Sequence, residues 1–393
     1  MTGAALYATR IPKIRRNGIL DKKSLGIGLV GSGFMGRTHA LGLASVGRIF
    51  DLPLVPKLEL LADATRPLAE AAAARFGFAR ATDDWQALVA DPAVDVVDIT
   101  APNKLHAPIA LAALALGKPV YCEKPLAPTA EDARVMAEAA ERAGVVTQVG
   151  FNYICNPMLV LAREMIASGE LGQVWGFRGI HAEDFMANRQ TPWTWRLDPA
   201  GGAGAIADIG SHIIGMARFL LGPIAAVCAD VETVIDRRPL PGQPDEMRAV
   251  AVDDQARLLL RFGNGCRGTL ETSWLSSGRQ MQLEFEVIGE KGALVFSQER
   301  FNELRYYKTE ADRSRNGFRT ILAGPEHAPY GAFCIAGGHQ IGFNDLKVIE
   351  IRNFLSALAG GPKPFADFRE GYEVQRVIDA ALLSSKNEAW VRL

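Results

Sequence analysis

The sequence predicts an α/β fold in two parts, a parallel-stranded N-terminal domain followed by an α+β domain with a mostly antiparallel sheet. Three observations carry that expectation. A chain of 393 residues is too long for one ordinary core. From residue 25 to 150, short apolar runs alternate with helical patterns, as strands joined by crossover helices do. After Asn152 the rhythm changes to longer strands of alternating polarity.

Residues 1–23 carry Arg10, Lys13, Arg15, Arg16, Lys22 and Lys23 but no apolar core of signal-peptide length. They read as a flexible leader, with packing on a partner subunit as the alternative. The first domain is placed at 24–150, with strands at 25–30, 58–62, 94–99, 119–122 and 145–149. Helical patterns fill 35–46, 67–76, 84–89, 106–116 and 130–143. The last opens on Thr129-Ala130-Glu131-Asp132, a capping-box variant, and stops at Gly144. The second domain is placed at 151–393. A helix at 158–167 leads into strands at 173–182, 225–233, 256–262, 267–274, 282–288 and 293–298. In the run 256–262, Ala256, Leu258, Leu260 and Phe262 share one face while Arg257 and Arg261 point the other way. Gly263-Asn264-Gly265 and Gly289-Glu290-Lys291-Gly292 mark hairpin turns. The proline-rich stretch 237–244 and much of 309–342 read as surface loops. Helices near 345–359 and 372–384 close the chain.

Composition narrows the function classes. Apolar content of 48% and charged content of 22% belong to an ordinary globular protein. A net charge of −1 gives no case for a nucleic-acid or anionic-membrane partner. No run approaches the roughly 20 apolar residues of a membrane span. The five cysteines are scattered and never spaced CxxC, which fits a reducing cytoplasm better than disulfides or zinc.

Chemistry concentrates in four places. Gly31-Ser32-Gly33-Phe34-Met35-Gly36 follows the first strand and opens a helix, the context a dinucleotide turn needs. There Gly31 makes the tight turn, Gly33 lets the backbone approach a pyrophosphate, and Gly36 permits close helix packing. The helix start offers free N–H groups to phosphate. Asp63, ending the second strand, suits the ribose hydroxyls and repels a 2′-phosphate, so NAD is expected in preference to NADP. Arg66 close behind would soften that preference. Thr100-Ala101-Pro102-Asn103-Lys104-Leu105-His106 follows the third strand, and Pro102 and Asn103 suit a loop against the cofactor. His106 either joins them or merely starts the next helix. Glu123-Lys124-Pro125 ends an apolar strand and points a cation at whatever lies beside the dinucleotide; the plain alternative is a surface salt bridge.

The fourth place is the segment from Gly201 to His212. Asp208 and His212, four apart, are expected on one face of a helix that begins after the glycines. Two ligands with no third in view make a metal site a poor reading, so no metal is expected. A structural Asp–His hydrogen bond is the other alternative. For oxidation of a carbinol, a histidine titrating near about 6.5 suits the departing hydroxyl proton. Lys124 would stabilise the developing alkoxide, and Asp208 would orient the substrate or tune the pair.

Taken together, the glycine turn, Pro102-Asn103-x-x-His106, Glu123-Lys124-Pro125 and Asp208-x-x-x-His212 resemble the Gfo/Idh/MocA oxidoreductases, from residue 25 to the C-terminus. The resemblance implies an N-terminal Rossmann domain and a C-terminal α+β domain on a large open sheet. It also implies a homodimer or homotetramer, and a triad of Lys124, Asp208 and His212. Gly31, Gly33, Phe34, Met35, Gly36, Asp63, Pro102, Asn103, His106, Glu123 and Lys124 are the expected cofactor contacts. Glu183-Asp184-Phe185-Met186-Ala187 and the run from Gly337 to Asp345 look like the inositol and L-glucose dehydrogenase subgroup. A cyclic polyol or sugar is the implied substrate, with Asn152, Asp184, Trp195, Arg196 and His339 as candidates to line its pocket. An NAD-dependent dehydrogenase is therefore expected. The rivals are an NAD-using glycosidase or sugar oxidoreductase that never releases its nucleotide, and a nucleotide-responsive regulator.

Overall fold

The computed structural model describes residues 23–201 and 204–393, so the leader expected over 1–23 lies outside the described residues except for Lys23. The first half runs β1 (Lys23–Val30), α1 (Phe34–Ile49), β2 (Leu54–Ala62), α2 (Arg66–Phe76), β3 (Arg80–Thr82), α3 (Trp85–Ala90), β4 (Val96–Ile99), α4 (His106–Ala115), β5 (Val120–Cys122), α5 (Ala130–Ala143) and β6 (Thr147–Val149). These strands are parallel in the order β3-β2-β1-β4-β5-β6. The order reverses at β1 and β4, which leaves a crevice beyond their carboxyl ends. β3 was not expected: three residues, Arg80-Ala81-Thr82, are too few to show a period. α5 behaves as its sequence suggests. The Thr129 hydroxyl accepts from Asp132 N, and Gly144 ends the helix in the left-handed region at φ +65.

The second half runs α6 (Pro157–Ala167), β7 (Val174–Ala182), α7 (Gly204–Asp208), α8 (Gly210–Leu221), β8 (Ile224–Glu232), β9 (Arg237–Leu240), β10 (Gln243–Ala249), β11 (Gln255–Phe262), β12 (Arg267–Ser273), β13 (Gln282–Gly289), β14 (Gly292–Ser297), β15 (Glu303–Lys308), β16 (Phe318–Leu322), α9 (Phe343–Leu358), α10 (Phe368–Asn387) and β17 (Val391–Arg392). Nine strands form one sheet, β16-β15-β14-β13-β7-β12-β11-β8-β17, antiparallel apart from the β7–β12 pair. In β11, Ala256, Leu258, Leu260 and Phe262 are buried while Arg257, Leu259 and Arg261 are exposed, as alternation requires of a sheet open on one face. One apolar cluster runs from Val30 and Ile99 through Phe151 and Ile213 to Phe177, so the two halves share a core.

Two loop expectations are corrected. Residues 237–244 take part in the β9–β10 hairpin, and 318–322 form a strand paired to β15. The hairpin shows no apolar alternation because β10 is exposed throughout. It is held instead by fully buried Arg238, which donates to Met186 O (2.7 Å) and Asn188 O (2.9 Å). No helix among the described residues is long and apolar enough to cross a membrane.

Candidate active site

The parallel strands deliver Gly31, Asp63, Thr100, Glu123 and Gly150 to one rim of the sheet. The ladder continues into it: Thr100 N donates to Val30 O (2.9 Å), Glu123 N to Ile99 O (2.8 Å) and Gly150 N to Cys122 O (2.9 Å). The three glycines of the first turn have different surroundings. Gly31 sits at φ +99, and a Cβ there would come within 2.7 Å of Thr100 O. One on Gly36 would lie 2.1 Å from Gly31 O, whereas one on Gly33 would meet no atom of the described residues within 4 Å. Two glycines are thus consumed by packing, and the third leaves open space at the start of α1. Asp63 accepts from Ser32 N (2.9 Å), from the Ser32 hydroxyl and from Ala64 N (2.6 Å). Arg66 is turned away, its Nε donating to Glu70 Oε1 (2.7 Å). An open helix start with an acid beside it fits a dinucleotide with an unphosphorylated ribose.

Lys124 stands just past β5. Its Nζ donates to Asp208 O (2.6 Å) and Asp208 Oδ1 (3.2 Å), while Asp208 Oδ2 accepts from Arg196 Nε (3.0 Å). Burial disfavours the Asp208 charge, but Lys124 and then Arg196 outweigh it and hold the carboxyl below its usual range. Asp208 and His212 do not share one helix. Asp208 ends α7, Ile209 breaks the path, and His212 lies in the first turn of α8. At the break, Ile209 O accepts from His181 Nδ1 (2.7 Å) and from His212 N (3.1 Å), while Asp208 O, the i−4 acceptor for His212 N in a continuous helix, accepts from Lys124 Nζ. The His212 imidazole is buried against the Tyr153 ring (4.6 Å between centroids). Desolvation, then the charges of Lys124 and His181, push its pKa well below 6.5, so it is neutral at physiological pH.

These groups line a cavity of about 510 Å³, within the usual range for small-molecule sites. Of the expected residues it brings together Phe34, Met35, Glu123, Lys124, Asn152, Arg196, Asp208 and His212. Asn152 is buried, and its Nδ2 has no hydrogen-bond partner among the described residues. Asp184, Trp195 and His339 are not on its wall. Asp184 braces a neighbouring loop through Gly278 N (3.0 Å), Trp195 lies half-exposed under the Arg196 guanidinium, and His339 is exposed. The carboxylate on the wall belongs instead to Glu183, held by His181 Nε2 at 3.0 Å. Continuing the two-residue period of β7 from His181 would have found it. His106 is also corrected from a cofactor contact to a strap. It is buried, with Nδ1 at 3.0 Å from Pro125 O and Nε2 at 2.9 Å from Ala101 O. Glu123 is no surface salt bridge; it is buried and bonded to His39 and Lys347. Tyr153, Phe185, Met281 and Phe343 are also on the wall; Phe185 and Phe343 fall in the two runs singled out above, whereas no short motif announced Tyr153 and Met281.

Residues 25–151 match the oxidoreductase family with an NAD-binding Rossmann fold named GFO/IDH/MocA, and residues 159–295 match that family's C-terminal domain. The levoglucosan dehydrogenase of Pseudarthrobacter phenanthrenivorans is 38% identical over 94% of this chain and 98% of its own length. A structure of levoglucosan dehydrogenase in complex with NADH and levoglucosan superposes with a TM-score of 0.91 at 39% identity, covering 94% and 99% of the two chains. The scyllo-inositol 2-dehydrogenase (NAD(+)) of Bacillus subtilis is 26% identical over 84% of this chain and 87% of its own. The glucose-6-phosphate 3-dehydrogenase of the same organism is 28% identical over 67% and 72%.

Proposed function

The chain belongs to the GFO/IDH/MocA oxidoreductases, and from that premise we propose that it oxidises a secondary hydroxyl of a neutral cyclic sugar, a pyranose ahead of an inositol, through Lys124, Asp208 and His212. It is an NAD-dependent sugar or polyol dehydrogenase. The observation that carries the finer reading is the convergence of an ammonium, a carboxylate and a neutral imidazole on one cavity beside the glycine turn.

The glycine turn, the start of α1 and Asp63 would hold NAD, which when bound supplies the hydride acceptor. The chain's own groups handle the proton. Lys124 Nζ, anchored by the Asp208 backbone oxygen and Oδ1, donates to the substrate oxygen and stabilises the charge that grows there. His212 accepts the hydroxyl proton as a neutral base. Asp208 keeps Lys124 in place and turns Arg196 toward the cavity. Asn152 Nδ2 and Glu183 offer a donor and an acceptor to further ring hydroxyls.

The charge on the wall separates sugars from sugar phosphates. Among the described lining residues the cations are Lys124 and Arg196, both bonded to Asp208, and Glu123 and Glu183 add two more acids. Acids on the described wall (Glu123, Glu183, Asp208) outnumber the cations (Lys124, Arg196), which disfavours a phosphate dianion, so the chain is read as a dehydrogenase of unphosphorylated sugars. Greater similarity to a levoglucosan enzyme than to an inositol enzyme favours a pyranose. The outer sheet face, where Trp175 and Leu259 are exposed, is the surface assigned to self-association.

The test is NADH formation with levoglucosan, aldopyranoses, inositols and glucose 6-phosphate. Lys124→Ala should lower turnover by about 10²–10⁴ while NADH binding, followed by fluorescence, stays near wild type. Lost binding would make Lys124 a cofactor anchor. Activity only with the phosphorylated sugar would overturn the charge argument.

A further inference from the structure

Beneath the Glu123-Lys124 turn lies a buried ion cluster. Lys347, on α9, is fully buried, and its ammonium spends all three donors: on Glu123 Oε1 (2.9 Å), Glu350 Oε2 (2.7 Å) and Tyr121 Oη (3.0 Å). Glu123 Oε1 also faces His39 Nε2 at 2.8 Å, and His39 Nδ1 faces Asp98 at 2.9 Å. With a carboxylate at each ring nitrogen, His39 is satisfied as an imidazolium, and its pKa is raised despite burial. The backbone makes room for this cluster. A Cβ on Gly150 would lie 2.3 Å from Glu123 Oε1.

Such a cluster is a poor way to glue a helix to a sheet. Burying ions is costly, and apolar residues of the same volume serve at least as well. Its placement suggests a different purpose. Glu123 precedes Lys124, and its Oε2 accepts from Lys124 N at 3.2 Å. α9 opens with Phe343, which lines the sugar cavity and stacks on Phe34 of the glycine turn at 5.8 Å. A single helix therefore touches the dinucleotide turn at its start and the lysine turn one helical turn later.

We propose that Lys347 is a positioning residue for the reaction: by clamping the Glu123 carboxylate together with His39, it fixes where Lys124 presents its ammonium and ties that position to the α9 wall of the sugar cavity. The inference rests on the reading of Lys124 given above. The electrostatics supply a second handle. His212 faces Lys124 and Glu123 beyond β5, His181 on β7 and Lys347 on α9, with Asp208 and Glu183 on the same cavity wall. The Lys347 charge helps hold the His212 pKa down, so its loss should let that pKa rise.

The test is Lys347→Met in the full chain, assayed with NAD and the best sugar from the screen. A misplacement near 1 Å costs roughly 100-fold, so kcat should fall by about that factor. Sugar KM and NADH affinity should stay within about threefold, and the acid limb of the kcat–pH profile should move to higher pH. In the variant's crystal structure, Lys124 Nζ should have left Asp208 O. Tyr121→Phe removes one bond from the same ammonium, is nearly isosteric and keeps the charge; should Lys347→Met fail to fold, this variant should show a smaller loss of kcat with sugar KM and NADH affinity within about threefold and the acid limb in place. Wild-type kcat in whichever variant folds would overturn the proposal, and so would an unmoved acid limb in Lys347→Met. If Lys124→Ala is inactive while these variants are normal, only the positioning role fails. If Lys124→Ala is fully active, the reading it rests on fails first.

Discussion

Gly33→Ala separates binding from folding at the glycine turn. Gly33 has φ −63 and ψ −162, extended backbone open to any residue, and a Cβ there meets nothing within 4 Å. Replacing glycine with alanine at a compatible site stabilises by about 0.4–1 kcal/mol through the unfolded chain. Gly33 is also the N-cap of α1, where alanine is worse than glycine by roughly 0.5–1 kcal/mol. The two effects oppose and nearly cancel, so the melting temperature should move by no more than about 3 °C. The new methyl, however, occupies the space through which a pyrophosphate would approach the helix start. Losing one charge-assisted hydrogen bond there costs about 1.5–3 kcal/mol, or roughly 10–100-fold in NADH Kd. Thermal melts and NADH fluorescence titration read the two quantities separately. Gly36→Ala is the control, because its Cβ would lie 2.1 Å from Gly31 O and the backbone must shift. It should unfold earlier, by about 1–3 kcal/mol of stability. An NADH Kd unchanged in Gly33→Ala would remove the pyrophosphate from this turn.

Asp63→Asn should narrow the preference for NAD over NADP by about tenfold, since a carboxylate near a 2′-phosphate repels it by about 1–4 kcal/mol; an unchanged ratio of kcat/KM values would show that Asp63 does not face the ribose. Glu183→Gln should raise sugar KM by about 10–100-fold with a smaller change in kcat, and an unaltered KM would take Glu183 off the substrate. Asp253, buried and next to Asp254, has its carboxyl pushed up to about 7. A folded pKa above the unfolded one means the native state binds the extra proton, so stability is highest at low pH and declines as pH rises from about 4 to 7. The deficit reaches about 4 kcal/mol above that range. Asp253→Asn should keep an acceptor for Ile206 N and gain melting temperature over wild type increasingly from pH 5 to pH 8; a gap independent of pH would contradict the burial argument.

The parallel half was legible because its signals are local: apolar runs, a capping threonine, glycines at strand ends. What was not legible depends on partners distant in sequence. Lys347 sits in a helix where a lysine ordinarily means solvent, and only Glu123, 224 positions away, makes it a buried ion. β10 carries no apolar alternation because it is exposed on all sides, so its pairing is invisible to periodicity. Glu183 and Asp184 are equally acidic neighbours; the pleat of β7 decides which one meets the cavity.

The Asp208–His212 pair shows how residues can be rightly chosen on a wrong geometry. Spacing of four places two side chains on one helical face only if the hydrogen-bond ladder is continuous. Here His181 Nδ1 donates to Ile209 O, while His212 N lies 3.1 Å from the same oxygen, and the chain turns between two helices. The turn lets Asp208 end its helix against Lys124 while His212 packs under Tyr153. An unbroken helix would stack the carboxylate one turn from the imidazole, where its charge would raise the His212 pKa. Keeping Asp208 committed to two cations and His212 among aromatic rings leaves one group charged and the other neutral. That division is what a proton acceptor beside an ammonium requires, and the turn that permits it is bonded by a strand residue, His181, that neither motif contains.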